Sequence, residues 1–299
     1  MKLLVIWNGG SGRSSQIERL RLELAEHPTA WLELDRDVDL SAEITDFIDS
    51  GGETVVAAGG DGTVHAVVNH LMQIDSKSRP SMGIVPLGTA NDFSGTLRIP
   101  NEIDLAAKTL FSRESVPVDV IRIRGDGIER YYSNVAAGGN CVRVSEELTD
   151  DVKARWGAFC YLRGAVGVLA DMQTYRLFAD VDGETFEQLD SWAVLIANGR
   201  TNAGHIEVAP HASPVDGLFD VVIIRDGDLI DMVEIVSGNL LGNFLECEQV
   251  IFRKAKRIRL RSEPPMRFTL DGELIEKEPI EFEVIPSAIR MFVGSDFKR

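Results

Sequence analysis

Residues 54–72 limit the fold more tightly than any other stretch of the chain. They begin Thr54-Val55-Val56-Ala57-Ala58, small and β-branched residues without polar alternation, as in a strand buried on both faces of a parallel sheet. Gly59, Gly60 and Gly62 then permit positive φ and close approach of the backbone to a ligand. Thr63 is read as the N-cap of a helix that turns Val64, Val67, Val68 and Leu71 inward. Strand, glycine turn and helix aim free N–H groups and a positive helix end at one point, which favours an anion such as phosphate. Asp61 stands among those donors. Its carboxylate would repel bare phosphate, so a cation between the two makes electrostatic sense, and Mg-nucleotide is the natural candidate. Alone, such a loop fits an ordinary βα turn slightly better than a ligand site.

The preceding and following segments repeat the design. A first strand at 2–7 leads into Asn8-Gly9-Gly10-Ser11-Gly12 and a helix over 14–26, followed by a strand at 29–34 and a helix at 40–50. A fourth strand, 81–85, ends at Pro86-Leu87-Gly88-Thr89-Ala90-Asn91-Asp92-Phe93, and a helix follows at 103–111. Alternation at this spacing predicts right-handed crossovers and an open parallel sheet, with three glycine turns gathered at the carboxyl ends of its strands. That convergence raises the nucleotide reading above the plain-turn reading.

After Pro117 the texture changes to short β-rich runs at 118–124, 130–136, 175–182, 192–198, 219–224, 257–261 and 280–285, interrupted by helical stretches near 151–172 and 229–240. The expected organisation is a Rossmann-like α/β unit over 1–118 and a mostly antiparallel unit over 119–287. The boundary falls somewhere in 110–119, and 288–299 could rejoin the first unit.

A net charge of −16 disfavours non-specific nucleic-acid binding. Cys141, Cys160 and Cys247 are odd in number and lack paired or metal-ligand spacing, so reduced core thiols of a cytosolic protein are expected. The first residues are too short an apolar run for a signal peptide. The apolar region 156–172, broken by Arg163 and Asp171, is short for a membrane span. His65 and His70 are five apart, on different helix faces, and are read as structural or solvated. Asp-Gly pairs at 126, 182 and 226 read as plain turns.

No P-loop, complete dinucleotide fingerprint or G-x-S-x-G elbow is present. The ordered pair Gly59-Gly60-Asp61-Gly62-Thr63 and Pro86-Leu87-Gly88-Thr89-Ala90-Asn91-Asp92-Phe93 resembles the diacylglycerol kinase catalytic-domain family, in its bacterial soluble lipid kinase branch. Sphingosine and ceramide kinases are relatives of that branch, and NAD kinases are more distant ones. Further likeness at Pro117-Val118-Asp119, at 134–139, 197–199 and 210–220, and at Leu270-Asp271-Gly272-Glu273 carries it over nearly the whole chain. It implies an N-terminal nucleotide-binding α/β domain and a C-terminal antiparallel β-sandwich, with the active site in the cleft between them.

Position by position, the resemblance implies that Gly59, Gly60, Asp61, Gly62, Thr63, Val64 and Thr89 bind ATP. Asp61 would hold the catalytic Mg²⁺, and Asn91 and Asp92 would organise the adjoining loop. Glu273 matches the proton acceptor that takes the lipid hydroxyl's proton; without the resemblance it reads as a solvated turn glutamate. Asp216, with the carbonyls of Ser213 and Leu218, matches a second, structural Mg²⁺ site. Gly9 stands where the family often has proline, and Asp35-Arg36-Asp37 lacks a threonine that some members use, so no adenine ligand is assigned.

The resulting expectation is an ATP-dependent kinase acting on the hydroxyl of a lipid such as diacylglycerol, phosphatidylglycerol or a sphingoid. The alternatives are an NAD kinase-like enzyme with a soluble acceptor and an inactive lipid- or nucleotide-binding module. The enzyme would be cytoplasmic and peripheral to the membrane, with its oligomeric state open and a homodimer one option. The basic run 253–261, with Arg253, Lys254, Lys256, Arg257, Arg259 and Arg261, reads first as a strand with one wet face. Its alternative role is docking to anionic lipid headgroups.

Overall fold

The computed structural model describes residues 1–35, 39–112, 115–125, 127–142, 172–204, 206–275 and 280–298. All of the expected helix at 151–172 but Met172, together with Cys160, the turn at Asp126 and Arg36-Asp37, lies outside them.

Strands β1 (Leu3–Trp7), β2 (Thr29–Glu33), β3 (Thr54–Gly59) and β4 (Ser81–Pro86) form a parallel sheet in the order β4-β3-β1-β2. Every residue of β3 is buried, because the sheet continues on both of its edges and is covered on both of its faces. The crossovers are α1 (Ile17–Glu23), α2 (Leu40–Asp49) and α3 (Asp61–Gln73), with α4 (Asp92–Thr96) and α5 (Ile103–Ser112) after β4. Asp39 caps α2 by accepting the Ala42 N–H at 3.1 Å.

The second half is antiparallel. It comprises β5 (Val116–Gly125), β6 (Ile128–Tyr132), β7 (Val135–Gly139), β8 (Tyr175–Val181), β9 (Glu184–Ala197) and the short pair β10 (Thr201–Asn202) and β11 (Ile206–Glu207). It continues with β12 (Phe219–Arg225), helix α6 (Leu229–Leu241), β13 (Val250–Ala255), β14 (Arg257–Glu263), β15 (Phe268–Leu270), β16 (Glu273–Ile275) and β17 (Ile280–Met291). The long β9 pairs with β8 through its first part and with β7 and β12 through its second, so it passes from one layer of the sandwich to the other. Between the layers lie Tyr132, Phe219, Phe268 and Phe282, each no more than 1% exposed. A capping box at Asp228 and Asp231 starts α6, and Gly242 at φ 77° ends it. The fold class is the expected one, a parallel α/β half and an antiparallel sandwich half.

Two strands join the halves. β5 leaves the first half, and β17 returns to it, pairing parallel with β4 at Met291↔Met82 while running antiparallel to β5. Their register shifts between Ile285 and Ile289, where Ser287 has φ 53°. The buried Asp119 holds this bulge by accepting the Ser287 N–H at 2.7 Å.

Three expectations needed correction. The run 130–136 is not one strand: β6 and β7 are separated at Ser133 and Asn134, whose N–H groups go to the Asp271 carboxylate rather than to a ladder. Strand β13 adds to the expected strands and overlaps the basic run only at 253–255, while β14 takes up the strand expected at 257–261. The N-cap of α3 is Gly60 rather than Thr63, with no side-chain cap, because the glycines let the chain enter the helix as soon as the turn is made. Thr63 lies buried in the first turn, its hydroxyl against Gly59 and without a hydrogen-bond partner among the described residues.

Candidate active site

The three glycine turns meet at the carboxyl edge of the parallel sheet. Asn8 N–H donates to the Ala58 carbonyl at 3.4 Å and Arg13 N–H to the Leu87 carbonyl at 2.9 Å, tying the first turn to the other two. The Arg13 guanidinium adds bonds to the carbonyls of Pro86 and Asn101. Gly12 lies so near Thr89 that a Cβ there would be 2.9 Å from the threonine hydroxyl. Gly60 and Gly88 face each other backbone to backbone.

A Cβ on Gly88 would overlap Gly60 Cα and lie 2.8 Å from Asn91 Oδ1. Gly88→Ala should therefore force the loops apart and weaken nucleotide binding about tenfold or more, as the loss of one or two good contacts would. Titration with a fluorescent ATP analogue checks this; unchanged affinity would mean that the two loops need not touch.

Asn91, at φ 56°, closes the second loop on itself. Its Oδ1 accepts the Gly88 N–H at 3.0 Å and its Nδ2 donates to the Gly88 carbonyl at 2.8 Å. Asp92, 3% exposed, accepts the Gly204 N–H at 2.9 Å, reaching into the second half. Thr63 and Val64 point inward, so only their backbone faces the turn. Thr89 is exposed beside Gly12. Of the first-turn amides of α3, those of Thr63 and Val64 go to the Gly60 carbonyl, at 3.0 and 3.1 Å, which leaves those of Asp61 and Gly62 at the turn.

Asp61 ties two of these turns together. Its Oδ1 accepts the Phe93 N–H at 3.1 Å and its Oδ2 the Asp92 N–H at 3.2 Å. Burial foremost, then the neighbouring Asp92 charge, pushes its carboxyl up to about 6, against the pull of those two N–H groups; Asp271 adds a smaller push. Each oxygen keeps a lone pair, and a carboxylate crowded by two others suits a hard cation. Among the described residues no three His, Cys, Asp or Glu side chains converge to hold a metal alone. An ion on Asp61 would therefore complete its shell with phosphate oxygens and water, as Mg²⁺ commonly does.

This shift has a sign that can be measured. Cation binding needs the ionised carboxylate, so Mg-nucleotide affinity should fall about tenfold per pH unit below about 6. Asp92→Asn should move that limb to lower pH. In the cation-free protein the raised value works against the fold: stability should decline as pH rises from the ordinary 3.8 through about 6. Calorimetric titration across this range reads the first effect and thermal melting the second.

The second half delivers an acidic turn to the same helix. Between β15 and β16 the chain turns through Asp271 at φ 47° and Gly272 at φ 100°. The Asp271 side chain is 2% exposed. Its Oδ1 accepts the N–H groups of Asn134 (3.1 Å) and Val135 (3.0 Å), and its Oδ2 accepts that of Ser133 (3.1 Å). His65 Nδ1, on the second turn of α3, lies 3.4 Å from the same Oδ2. The Asn69 amide, 3.1 Å from His65 Nε2, favours the tautomer with the proton on Nδ1. Asn69 also donates to the Tyr131 carbonyl at 2.7 Å and accepts its N–H at 3.0 Å, docking α3 on β6.

Two residues beyond Asp271, Glu273 is exposed and lines a groove of about 920 Å³. His65, Asn69, Arg130, Tyr131 and Leu274 share that lining, so Glu273 faces the flank of the helix that Asp61 begins.

Ser213, Asp216 and Leu218 lie on another loop, ahead of β12, whose described bonds run to Asp119 and Lys254 rather than to Asp61. Sequence reasoning passed over Asn69 and Tyr131, read His65 as structural or solvated without a partner for it, and gave Asp271 no role of its own. In the basic run, Arg253 pairs with Glu184 at 2.8 Å, Arg257 with Glu281 at 2.7 Å and Arg261 with Glu263 at 3.3 Å. The Arg261 guanidinium also lies 3.7 Å over the Phe178 ring. These charges are largely matched on their own surface. No helix among the described residues is long and apolar enough to cross a membrane.

A glycine cradle on a parallel sheet, with an acidic turn of a β-sandwich packed at His65 on the helix that leaves the cradle, is a two-domain arrangement suited to a kinase. Residues 2–123 match the diacylglycerol kinase catalytic domain, and residues 133–293 match the YegS C-terminal NAD kinase beta sandwich-like domain. A diacylglycerol kinase of Staphylococcus aureus (strain bovine RF122 / ET3-1) is 31% identical over 300 residues, covering 98% of this chain and 92% of that protein. The chain belongs to the diacylglycerol kinase catalytic-domain family.

Crystal structures agree on the fold. One from Bacillus anthracis str. Sterne superposes with TM-score 0.82 at 25% identity, over 98% of this chain and 95% of its own. A diacylglycerol kinase from the same organism gives TM-score 0.75 at 23%, over 98% and 97%. An Archaeoglobus fulgidus NAD kinase in complex with ATP gives TM-score 0.54 at 12%, over 98% and 94%.

Proposed function

We propose that the protein transfers the γ-phosphoryl group of ATP to the hydroxyl of a lipid of the diacylglycerol, phosphatidylglycerol or sphingoid kind. The observation that carries this is the delivery of Glu273, from the sandwich half, into the groove beside the helix that Asp61 begins. The likeness to a kinase named for diacylglycerol supports the lipid acceptor.

The turns at Gly59, Gly60, Gly62 and Gly88, with the α3 amides, hold the phosphates and exclude water from one side. Thr89 borders the same cradle. Asp61 would hold Mg²⁺, which neutralises phosphate charge when bound. Glu273 accepts the proton of the attacking hydroxyl from the groove side. Phosphoryl transfer depends mainly on position and charge, so this set suffices. The enzyme would act as a peripheral protein at a cytoplasmic membrane face. The matched charges at 253–261 leave β13 and β14 little net attraction for anionic headgroups.

A labelled-ATP assay over a lipid panel, with NAD as a soluble acceptor, tests the reading. A labelled lipid lost in Asp61→Ala is expected; labelled NAD without labelled lipid would overturn it.

A further inference from the structure

One cation is already built into the second half. On β13, Lys254 stands in register with Asp220 of β12. Its ammonium lies 2.8 Å from Asp216 Oδ2, 3.3 Å from Asp220 Oδ1 and 3.2 Å from the His211 carbonyl oxygen. The other Asp216 oxygen accepts the Leu218 N–H at 3.0 Å. Asp220 is 1% exposed and has no directed hydrogen bond, so the ammonium is the positive charge that faces it. The Ser213 carbonyl accepts the Asp216 N–H at 3.4 Å.

This donor set does not fit a divalent ion. The Lys254 ammonium lies against Asp216 Oδ2, so a metal on that oxygen would face a like charge across a few ångströms, where repulsion is strong. The same oxygens serve an ammonium well: Asp216 Oδ2 and the His211 carbonyl accept its N–H groups, and Asp220 Oδ1 faces it as an ion pair.

The loop so held is tied to the joint between the halves. Gly217 N–H donates to Asp119 Oδ2 at 2.7 Å, and Asp119 N–H to the Pro214 carbonyl at 2.7 Å. The other Asp119 oxygen takes the Ser287 N–H of the β17 bulge. Lys254, the 211–220 loop, β5 and β17 form one chain of contacts.

We propose that Lys254 is a resident cation: its ammonium takes, in this chain, the place that the family resemblance gives to the structural Mg²⁺ on Ser213, Asp216 and Leu218. It locks the loop onto Asp119 and the interdomain joint without metal. The inference stands whichever acceptor the kinase uses.

Thermal melting of the whole, nucleotide-free protein, stripped with EDTA and then given millimolar Mg²⁺, tests it. Wild type and Asp216→Asn should respond alike to Mg²⁺, since any ion bound at Asp61 survives in both. Lys254→Met should melt about 5 °C lower in EDTA, a shift of the size expected from stranding the buried Asp220 beside the partly exposed Asp216 in a chain this long. Mg²⁺ should restore much of that loss, and the double variant Lys254→Met/Asp216→Asn should not be restored.

A wild-type Mg²⁺ response abolished by Asp216→Asn would overturn the proposal. So would a Lys254→Met protein that melts like wild type, or one that Mg²⁺ cannot restore. Should Lys254→Met not fold, bound Mn²⁺ counted by paramagnetic resonance decides. Equal counts for wild type and Asp216→Asn support the resident ammonium, and one ion fewer in the variant refutes it.

Discussion

Glu273→Gln should lower phosphoryl transfer about 10²- to 10⁴-fold while leaving nucleotide affinity and melting temperature at wild-type values. The separation follows from where the residue sits. Glu273 is exposed at the groove wall and makes no ion pair among the described residues, so the amide removes a base without removing a structural contact. Glutamine keeps the size and the hydrogen-bonding reach but cannot accept and hold a proton. The measurement is kcat on the best lipid of the panel, with ATP-analogue binding and a thermal melt on the same preparation. Equal kcat for variant and wild type would remove Glu273 from the chemistry. A matching fall in melting temperature would instead mark it as part of the scaffold.

Asp271→Ala should be the most damaging single change to the site's architecture. Its carboxylate is the acceptor for three consecutive N–H groups, at Ser133, Asn134 and Val135, and it faces His65 across the cleft. Alanine strands those donors in a nearly dry place and must also hold the positive φ that Asp271 adopts. We expect a loss of about 3–5 kcal/mol, the range seen when one partner of a buried charged network is removed. Activity should fall further than stability alone explains, since Glu273 rides on this turn, and a displacement near 1 Å can cost about 10²-fold in rate. Asp271→Asn, which keeps one acceptor oxygen and tolerates the backbone, should recover part of both. Denaturant unfolding followed by kinetics at a temperature where each variant is folded separates the two effects. An alanine variant as stable as wild type would mean that water replaces the carboxylate there.

Much of this architecture was legible in the residues. Unbroken small apolar runs such as 54–58 marked the parallel sheet, and the three glycine turns marked its ligand edge. The shift to alternating short runs after Pro117 marked the sandwich. What the sequence hid was contact across long separations. The break between β6 and β7 is made by Asp271, 138 residues from Ser133, so nothing local in 130–136 announces it. His65 looked like an ordinary helical residue because spacing along α3 cannot reveal a partner 206 positions away. Thr63 had the right chemistry for a cap, but Gly60 had already started the helix. The end of the basic run, 257–261, read as a wet-faced strand and is one, in β14; what the sequence did not show is that 253–255 belong to a separate strand, β13, and that acidic side chains on neighbouring strands meet most of the charges.

The paired strands β5 and β17 run through both halves as a two-stranded ribbon, from Glu281↔Arg124 in the sandwich to Met291↔Val116 beside the parallel sheet. Such a ribbon bends readily across its face and resists sliding along its length, because sliding would break every rung of its ladder together. Any movement of one half against the other would therefore be a flexing of this ribbon about the Asp119 joint. The two halves are accordingly coupled by a leaf spring rather than strung as two beads on a string.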